Sequence, residues 1–398
     1  MKYLLFNLVV VLILSILGNN PFWRFHLITD VNTYQTKVGY YLEHHNFGGM
    51  VLNEYLPGAM LFFVFISYFS KLFPVGDSFV LSLWIVNFLL ILGLSFLYQK
   101  INSKGSVIFP LILLAMGPIV LYRFDLYVMF WVILALFFWQ RSKYEITFIL
   151  LGFATLIKIF PIIFIPLLLI ILYKEKGLKR TYQNPLYYFL GLLIPLLLYM
   201  VFFKVGISDL IGLNYFHAMR PVSVESIWGS ALTIISKVQV GVYAKGLGDW
   251  GTFGIAPSYL IGPLTFYSNF WVVPLSFLYL WFLKSKDKEK YLFQRCLILV
   301  LTFLIFYKSI TPQYFLWFAL LLPLVEKNIF SQLSWRITSI LTLIISIFYQ
   351  YIYPLNYFSL IEFYNNGNHP ELFWLNTFRN CLLLILLVNI ISSLKNER

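Results

Sequence analysis

A lysine lies within a long apolar stretch of this sequence. Lys158 falls in residues 146–173, ITFILLGFATLIKIFPIIFIPLLLIILY, where every other side chain is uncharged and nearly all are apolar. Placing an ammonium group at membrane depth costs at least about 2.5–3.5 kcal/mol, so an ionisable residue there indicates a functional site. The charge of Lys158 therefore predicts an anionic partner.

A second group of ionisable residues lies between the apolar stretches, and the topology derived below places it on the outer face. It comprises Asp30, Glu54, Arg123, Asp125, Arg220, Glu225 and Lys308. A carboxylate opposed by several cations suits a donor made of an apolar chain, a phosphate and a sugar. Transfer of the sugar needs a base for the acceptor hydroxyl and cations for the departing phosphate. Arg220 can bind phosphate oxygens with two hydrogen bonds, whereas Lys158 acts as a point charge.

The composition of the chain indicates a membrane protein. Hydrophobic residues make up 60% of the chain and charged residues only 11%, the mean hydropathy is +0.81, and apolar runs of spanning length recur from Leu4 to Ile391. These features predict an all-α polytopic membrane protein with about 11–12 transmembrane helices. We interpret residues 4–17 as a signal anchor, because more spans follow and Gly18-Asn19-Asn20 is a poor cleavage site; a signal peptide is the alternative.

The formal charge of +13 is distributed in a way that predicts topology rather than a nucleic-acid partner. The basic residues fall in short loops between apolar runs, namely residues 99–106, 141–145, 173–184, 283–290 and 395–398. By the positive-inside rule these loops and both termini are expected on the cytoplasmic side.

Cys296 and Cys381 lie in apolar segments, so neither a disulfide framework nor a thiolate metal site is indicated.

The positive-inside rule also decides two ambiguous segments. Residues 146–173 would form a helix of about 42 Å against a membrane core of about 30 Å, and Pro161 provides a break. If the segment crosses twice as two short helices meeting at Lys158, that residue faces outside. Residues 57–73 then lie as an interfacial or re-entrant helix. In the competing topology residues 57–73 span and residues 146–173 cross once, which puts four basic residues, Lys100, Lys104, Arg141 and Lys143, on the outer side.

One domain, residues 1–398, is predicted, with external loops at about residues 19–56, 205–257 and 354–372. The first loop has apolar residues at helical spacing on one face: Val31, Tyr34, Val38, Tyr41 and Leu42. This pattern predicts interfacial helix in that loop, lying flat on the membrane with Asp30 at the water boundary. An alternative role for Asp30 is to cap a helix that starts at Val31.

The ionisable residues belong to short motifs that occur in a fixed order along most of the chain. The motifs are Asp30 with Tyr34, Glu54-Tyr55-Leu-Pro57, Tyr122-Arg123-Phe-Asp125, Leu156-Ile-Lys158-Ile-Phe-Pro161, His217-Ala-Met-Arg220-Pro-Val-Ser-Val-Glu225, and Lys308-Ser-Ile-Thr-Pro312-Gln313-Tyr314-Phe-Leu-Trp317. In this order they resemble the GT-C superfamily of glycosyltransferases. The nearest resemblance is to the polyprenol-phosphate-mannose-dependent mannosyltransferases of prokaryotes, related to the catalytic subunit of GPI mannosyltransferase I.

The resemblance implies a GT-C-type helical bundle that transfers a hexose, most often mannose, with inversion. The donor would be a polyprenyl-phosphate sugar and the acceptor a glycan or lipid on the outer face of the plasma membrane. Asp30 maps to the catalytic base and Lys158 to a phosphate ligand. The other implied substrate-binding residues are Arg123, Asp125, Arg220, Glu225, Lys308, Gln313, Tyr314, Glu54 and Tyr55. The paired Asp-x-Asp of eukaryotic relatives is absent, since Val31 and Asn32 follow Asp30, so no cofactor is predicted and a divalent metal is left open.

Several alternatives stand beside these roles. Asp125 could pair locally with Arg123, Lys158 could extend from a helix end to the headgroups, and Arg220 and Glu225 could form a structural salt bridge. Lys308 could simply end a span. At the level of function, the alternatives are a transporter or flippase and a polysaccharide polymerase or ligase that uses a lipid-diphosphate donor. Transporters usually have matching halves with interrupted helices, which this sequence does not show.

Overall fold

The part of the chain that the structure describes is almost entirely helical. A computed structural model describes residues 2–44, 55–204, 206, 222–239, 271–285, 289–308, 310–326 and 332–395, and none of these residues forms a strand. Within these residues, four helical segments are long and apolar enough to cross a membrane: Ser78–Ile101, Leu178–Phe203, Gln332–Leu355 and Pro370–Leu394. A bent pair, Leu5–Asn19 with Pro21–Glu43, makes a fifth when it is taken as one span. The prediction of an all-α membrane protein is therefore confirmed, and the number of crossings stays a prediction.

The helices group into two compact units. The first unit comprises Met1–Leu114, Pro118–His217 and Asp287–Lys290, and the second comprises Ala115–Gly117, Ala218–Lys286 and Tyr291–Arg398. The helices of the first unit are α1 (Lys2–Asn19), α2 (Pro21–His44), α3 (Pro57–Ser70), α4 (Ser78–Ile101), α5 (Ile108–Met116, which ends in the second unit), α6 (Ile119–Tyr122), α7 (Asp125–Trp139), α8 (Tyr144–Ile157), α9 (Phe164–Lys176), α10 (Leu178–Thr181) and α11 (Asn184–Phe203). The single domain predicted from the sequence stays a prediction.

The described helices of the second unit follow in the same way. They are α12 (Ile227–Gln239), α13 (Val272–Lys284), α14 (Leu292–Phe306), α15 (Phe315–Ala319), α16 (Gln332–Gln350), α17 (Tyr357–Asn366) and α18 (Pro370–Lys395). Short 3-10 turns occur at Gly105–Val107, Phe160–Ile163, Glu289–Tyr291, Pro312–Tyr314 and Leu322–Leu324, and a π-helical turn at Tyr351–Leu355.

The first predicted external loop contains the predicted helix, α2. It begins at Pro21, whose fixed φ suits a first helical position, and it meets α1 at 91°. The helix predicted in this loop is therefore present, and its orientation flat on the membrane stays a prediction. Of the predicted apolar face, Val31, Tyr34 and Val38 are buried within the protein, whereas Tyr41 and Leu42 are partly exposed. Because α2 starts nine residues before Asp30, the alternative in which Asp30 caps a helix beginning at Val31 is wrong.

The apolar segment around Lys158 is broken as predicted. Helix α8 ends at Ile157, and Lys158 has an extended backbone with φ −147° and ψ 141°. The 3-10 turn Phe160–Ile163, which contains Pro161, leads into α9. Both α8 and α3 have 14 residues, which makes each about 21 Å long and shorter than a membrane core of about 30 Å. Whether α3 crosses, and whether residues 146–173 cross twice, stay predictions.

Helices α8 and α11 approach closely through two glycines. A Cβ atom at Gly152 would lie 2.3 Å from the carbonyl oxygen of Tyr188, and one at Gly191 would lie 2.1 Å from the carbonyl oxygen of Ile149. In a membrane, association of helices depends on close packing, so small residues at a crossing allow the two backbones to touch. This crossing fixes α8, whose C-terminal end carries Lys158.

We expect Gly191→Ala to lower the midpoint of thermal unfolding by several degrees, because the added methyl group overlaps a backbone carbonyl that cannot rotate away. Gly39→Ala is the matched control. Position 39 is also inside a helix, and a Cβ there meets no atom within 4 Å, so its midpoint should be unchanged or slightly raised. Thermal unfolding of the purified protein in detergent measures both, and equal midpoints for the two variants would contradict the close crossing.

Candidate functional site

Four ionisable residues predicted from the sequence meet in the first unit. Asp30 lies on α2, Arg123 follows the end of α6, Asp125 is the first residue of α7, and Lys158 follows the end of α8. Three of the four thus lie where a helix begins or ends. The breaks allow side chains from remote segments to converge without a loop crossing the core.

The break between α6 and α7 is held by an asparagine from a neighbouring helix. Asn87 of α4 is fully buried, and its Nδ2 donates hydrogen bonds to the carbonyl oxygens of Leu121, at 2.9 Å, and Arg123, at 3.0 Å. A helix end leaves such carbonyls without an intrahelical donor, and leaving them unpaired inside an apolar core is costly. Asn87 therefore stabilises the extended backbone at Arg123, which forms the break between α6 and α7.

The four charges form two ion pairs. Arg123 pairs with Asp30, and the Nζ of Lys158 lies 2.6 Å from Oδ1 of Asp125. The side chains of Arg123 and Asp125 are 5% and 1% exposed, that of Lys158 is 13% exposed, and that of Asp30 is 33% exposed. Asp30 is thus the member that a substrate can reach most easily.

The pairing of Lys158 bears on two expectations. The anionic partner that its charge requires is present within the protein, as predicted. Its ammonium group is directed at a carboxylate that is almost fully buried, which disfavours the alternative in which it extends towards lipid headgroups.

The pair between Asp125 and Lys158 also suits the helices that carry it. Asp125 lies at the N-terminus of α7 and Lys158 just beyond the C-terminus of α8. A negative charge at a helix N-terminus and a positive charge at a C-terminus each stabilise the helix by about 0.3–1 kcal/mol, through their interaction with the helix dipole. The pair therefore has a structural role in addition to any chemical one.

Aromatic rings enclose the ion pairs. The ring of Tyr34 stacks on that of Phe63 at 4.3 Å between centroids, and Phe124 meets Tyr34 edge to face at 5.7 Å. The Nζ of Lys158 lies 4.5 Å from the centroid of Phe124, and Nη1 of Arg123 donates to the hydroxyl of Tyr34 at 3.4 Å. Because Arg123 and Asp125 are nearly buried beside these rings, their charges interact in a medium of lower dielectric constant than water.

Tyr55, predicted to bind substrate, joins the same aromatic cluster. Its ring lies 5.4 Å from that of Tyr34, and Nζ of Lys37 lies 4.9 Å from its centroid. The approach of this segment to the end of α8 depends on Gly58, where a Cβ would lie 2.9 Å from the backbone nitrogen of Ile157. A glycine at this position thus brings Tyr55 beside the charged residues.

Two predicted residues lie on adjacent segments of the second unit. Glu225 is 1% exposed and Lys308 is 3% exposed. Ser223 joins their segments, because its backbone N–H donates to the carbonyl oxygen of Lys308 at 2.9 Å and its hydroxyl donates to that of Ile310 at 3.0 Å. Burial lowers the pKa of Lys308, since desolvation disfavours the charged ammonium.

The last predicted motif is also in the second unit. Gln313 and Tyr314 lie in the 3-10 turn Pro312–Tyr314. The ring of Tyr314 stacks on that of Trp317 at 4.4 Å, so this tyrosine contributes to packing at the start of α15. Glu54 and Arg220 lie outside the described residues, so their roles, and the alternative salt bridge between Arg220 and Glu225, stay predictions.

Among the buried polar residues that were not predicted, Asn87 and Arg379 bear most directly on the two units. Asn87 interrupts the apolar sequence of α4, and Arg379 is a fully buried cation in α18, with Asn376 at i−3 and Asn380 at i+1. The rule that singles out Lys158, a charge within an apolar stretch, also singles out Arg379. It was missed because it lies outside the ordered series of motifs.

Within the described part of the chain, no group of three or more histidine, cysteine, aspartate or glutamate side chains is arranged to hold a metal ion. No model of a known protein family matches the sequence, and a search of curated proteins finds no match. The resemblance to the GT-C superfamily therefore stays a prediction carried by the motifs.

We expect Lys158→Met and Asp125→Asn each to lower the free energy of unfolding by about 3–5 kcal/mol, because each leaves a buried charge without its partner. The double variant should lose much less than the sum. Arg24→Met is the control: it breaks a more exposed ion pair with Asp77 in the same unit, which should cost about 1 kcal/mol or less. Chemical unfolding in detergent measures all four variants, and strictly additive losses would show that the two residues do not interact.

Proposed function

We propose that this protein is a membrane glycosyltransferase that moves a hexose, mannose being the expected sugar, from a polyprenyl-phosphate carrier to an acceptor glycan or lipid. The supporting observation is the convergence of Asp30, Arg123, Asp125 and Lys158 in a single apolar unit. These residues come from three segments that are remote in sequence, and a reaction between a lipid phosphate and a hydroxyl needs both signs of charge at one place.

Asp30 is the base in the proposed reaction. Arg123 orients the carboxylate of Asp30, and Asp30 is the most exposed of the four charged side chains. As the acceptor oxygen attacks the anomeric carbon, its proton passes to Asp30. The bond between that carbon and the phosphate oxygen breaks on the opposite face, and the phosphate leaves with the electron pair. A single displacement of this kind inverts the configuration at the anomeric carbon.

The cations stabilise the charge that grows on the departing phosphate. Asp30, Arg123, Asp125 and Lys158 alone are electrically neutral, with two carboxylates and two cations. Lys37 lies beside Tyr55 and adds a further cation next to the cluster among the described residues. A phosphate that binds here competes with Asp125 for Lys158 and with Asp30 for Arg123. Competition at Arg123 would release Asp30 from its ion pair when the donor is present, which favours its action as a base.

The proposed topology places this cluster on the outer face of the plasma membrane, with the basic loops and both termini in the cytoplasm. The four or five long spans of the described chain would form part of the about 11–12 crossings that this topology needs. The prenyl tail of the donor would lie among these helices, so the phosphate reaches the charged residues at the level of the interface.

The deciding experiment is donor dependence. Purified protein in membranes should release polyprenyl phosphate from polyprenyl-phosphate-mannose and form a glycosylated product, whereas a nucleotide sugar alone should give none. A panel of polyprenyl-phosphate sugars, followed by linkage analysis, identifies the sugar and the stereochemistry. Product from a lipid-diphosphate donor alone would favour a polymerase or ligase. Movement of the lipid across the membrane without bond cleavage would favour a flippase.

We expect Asp30→Asn to lower kcat by at least about 100-fold, because the amide cannot accept the proton of the acceptor hydroxyl. Donor binding, measured by fluorescence or by ligand-dependent thermal stabilisation, should be retained. Asp77→Asn is the matched control, since Asp77 is a carboxylate of the same unit that is 61% exposed and has no role in the proposed reaction. Full activity of Asp30→Asn would remove Asp30 from the mechanism.

A further inference from the structure

The backbone of a short turn in the second unit accepts an unusual number of side-chain hydrogen bonds. The turn precedes α12 and contains Glu225. Two consecutive carbonyl oxygens, those of Val224 and Glu225, accept from side chains of the two C-terminal helices. The carbonyl oxygen of Val224 accepts from the hydroxyl of Tyr364 and from Nδ2 of Asn376, both at 3.1 Å. The carbonyl oxygen of Glu225 accepts from Nη2 of Arg379 and, at 3.3 Å, from Nδ2 of Asn380.

Arg379 is the charged member of this set. It is fully buried in the apolar helix α18, its Nη2 also donates to Oδ1 of Asn380 at 2.8 Å, and its guanidinium carbon lies 4.0 Å from the ring centroid of Tyr349. Its Nε and Nη1 make no hydrogen bond within the described part of the chain. Burying a cation with incomplete hydrogen bonding is unfavourable, so packing alone does not account for an arginine at this position.

The other side of the turn is equally constrained. Ser223 ties it to the segment that carries Lys308. The hydroxyl of Ser226 accepts from the backbone N–H of Gly229 at 2.9 Å, which caps the N-terminus of α12. A Cβ at Gly229 would lie 2.4 Å from the carbonyl oxygen of Ser223, so only glycine fits. The backbone on both sides of Glu225 is therefore fixed.

We infer that Arg379 is a positioning residue for the sugar transfer proposed above. It holds the backbone of Glu225 in place, and because Ser223 ties the same turn to the segment of Lys308, it also keeps Glu225 in a fixed position relative to that segment. The inference rests on that proposed function for its purpose, but its structural content stands separately. By binding the carbonyl oxygen of Glu225, Arg379 and Asn380 prevent the peptide group from rotating and so fix the direction in which the Glu225 side chain leaves the backbone. Arg379 would affect sugar transfer only through Glu225, which the resemblance implies to be a substrate-binding residue.

The test combines hydrogen exchange with kinetics on the full-length protein. Arg379→Gln should raise the exchange of amides at residues 223–230 by about tenfold or more, since a buried hydrogen bond to the turn is lost. Tyr364→Phe, which removes one hydroxyl donor and little volume, should raise it by a smaller factor and is the variant to use if Arg379→Gln does not fold. In the transfer assay, Arg379→Gln should raise the KM for substrate about tenfold or more, and Arg379→Lys should recover part of both effects.

Arg295→Gln is the matched control. Arg295 is also a buried arginine of the second unit, and its Nη2 donates to Oγ of Ser285, the residue directly after α13, at 2.9 Å. The Arg295→Gln variant should lower the midpoint of thermal unfolding without raising the hydrogen exchange of the amides at residues 223–230. Unchanged protection of the turn in Arg379→Gln and Tyr364→Phe, or equal deprotection in Arg295→Gln, would overturn the inference. A wild-type chain that transfers no sugar would instead overturn the proposed function and leave the exchange result to decide the role of Arg379.

Discussion

The requirement that a charge in an apolar environment must have a partner determines the architecture of the first unit. Lys158 and Asp125 are nearly buried and lie 2.6 Å apart, and neither could be placed there alone without a large free-energy cost. Their meeting requires α8 to end at Ile157 and α7 to begin at Asp125. Each break leaves backbone groups without helical partners, and Asn87 satisfies two of them. Helix ends, ion pairs and the buried asparagine are thus consequences of one electrostatic constraint.

The second unit meets the same constraint in a different way. Arg379 is stabilised by a backbone carbonyl, an asparagine and an aromatic face rather than by an ion pair of the kind formed by Lys158. Partial charges on the backbone cannot be displaced by an incoming anion as readily as a carboxylate side chain can. The charges of the first unit are therefore able to exchange partners during a reaction, whereas Arg379 is suited to hold a fixed geometry.

The sequence predicts those features that depend on local composition. The helical class, the buried face of α2 and the break at Lys158 all follow from apolar spacing, chain length and Pro161. The partners of the charges do not follow, because Asp30 and Arg123 are distant in sequence and their pairing depends on how α2 packs. The capping role considered for Asp30 fails for a related reason: α2 begins at Pro21, directly after the turn that ends α1, and the spacing of apolar residues from Val31 onward does not indicate that start. Asn87 and Arg379 are single polar residues in apolar helices, and their hydrogen bonds to backbone carbonyls appear only in the folded chain.

Pairing of the buried cations with carboxylates in the absence of substrate lowers the free-energy cost of a phosphate-binding site of the proposed kind. A cluster of uncompensated cations among Tyr34, Phe63 and Phe124 would destabilise the fold, since the apolar surroundings weaken hydration. Carboxylates that neutralise the cations at rest avoid this cost, and they also lower the affinity for the donor because the phosphate must displace them. Binding energy from the prenyl chain among the apolar helices can offset that loss. A lipid-linked donor would therefore be recognised by two separate contributions, the burial of its chain and the exchange of its phosphate into existing ion pairs, and a free sugar phosphate that lacks the chain would bind weakly.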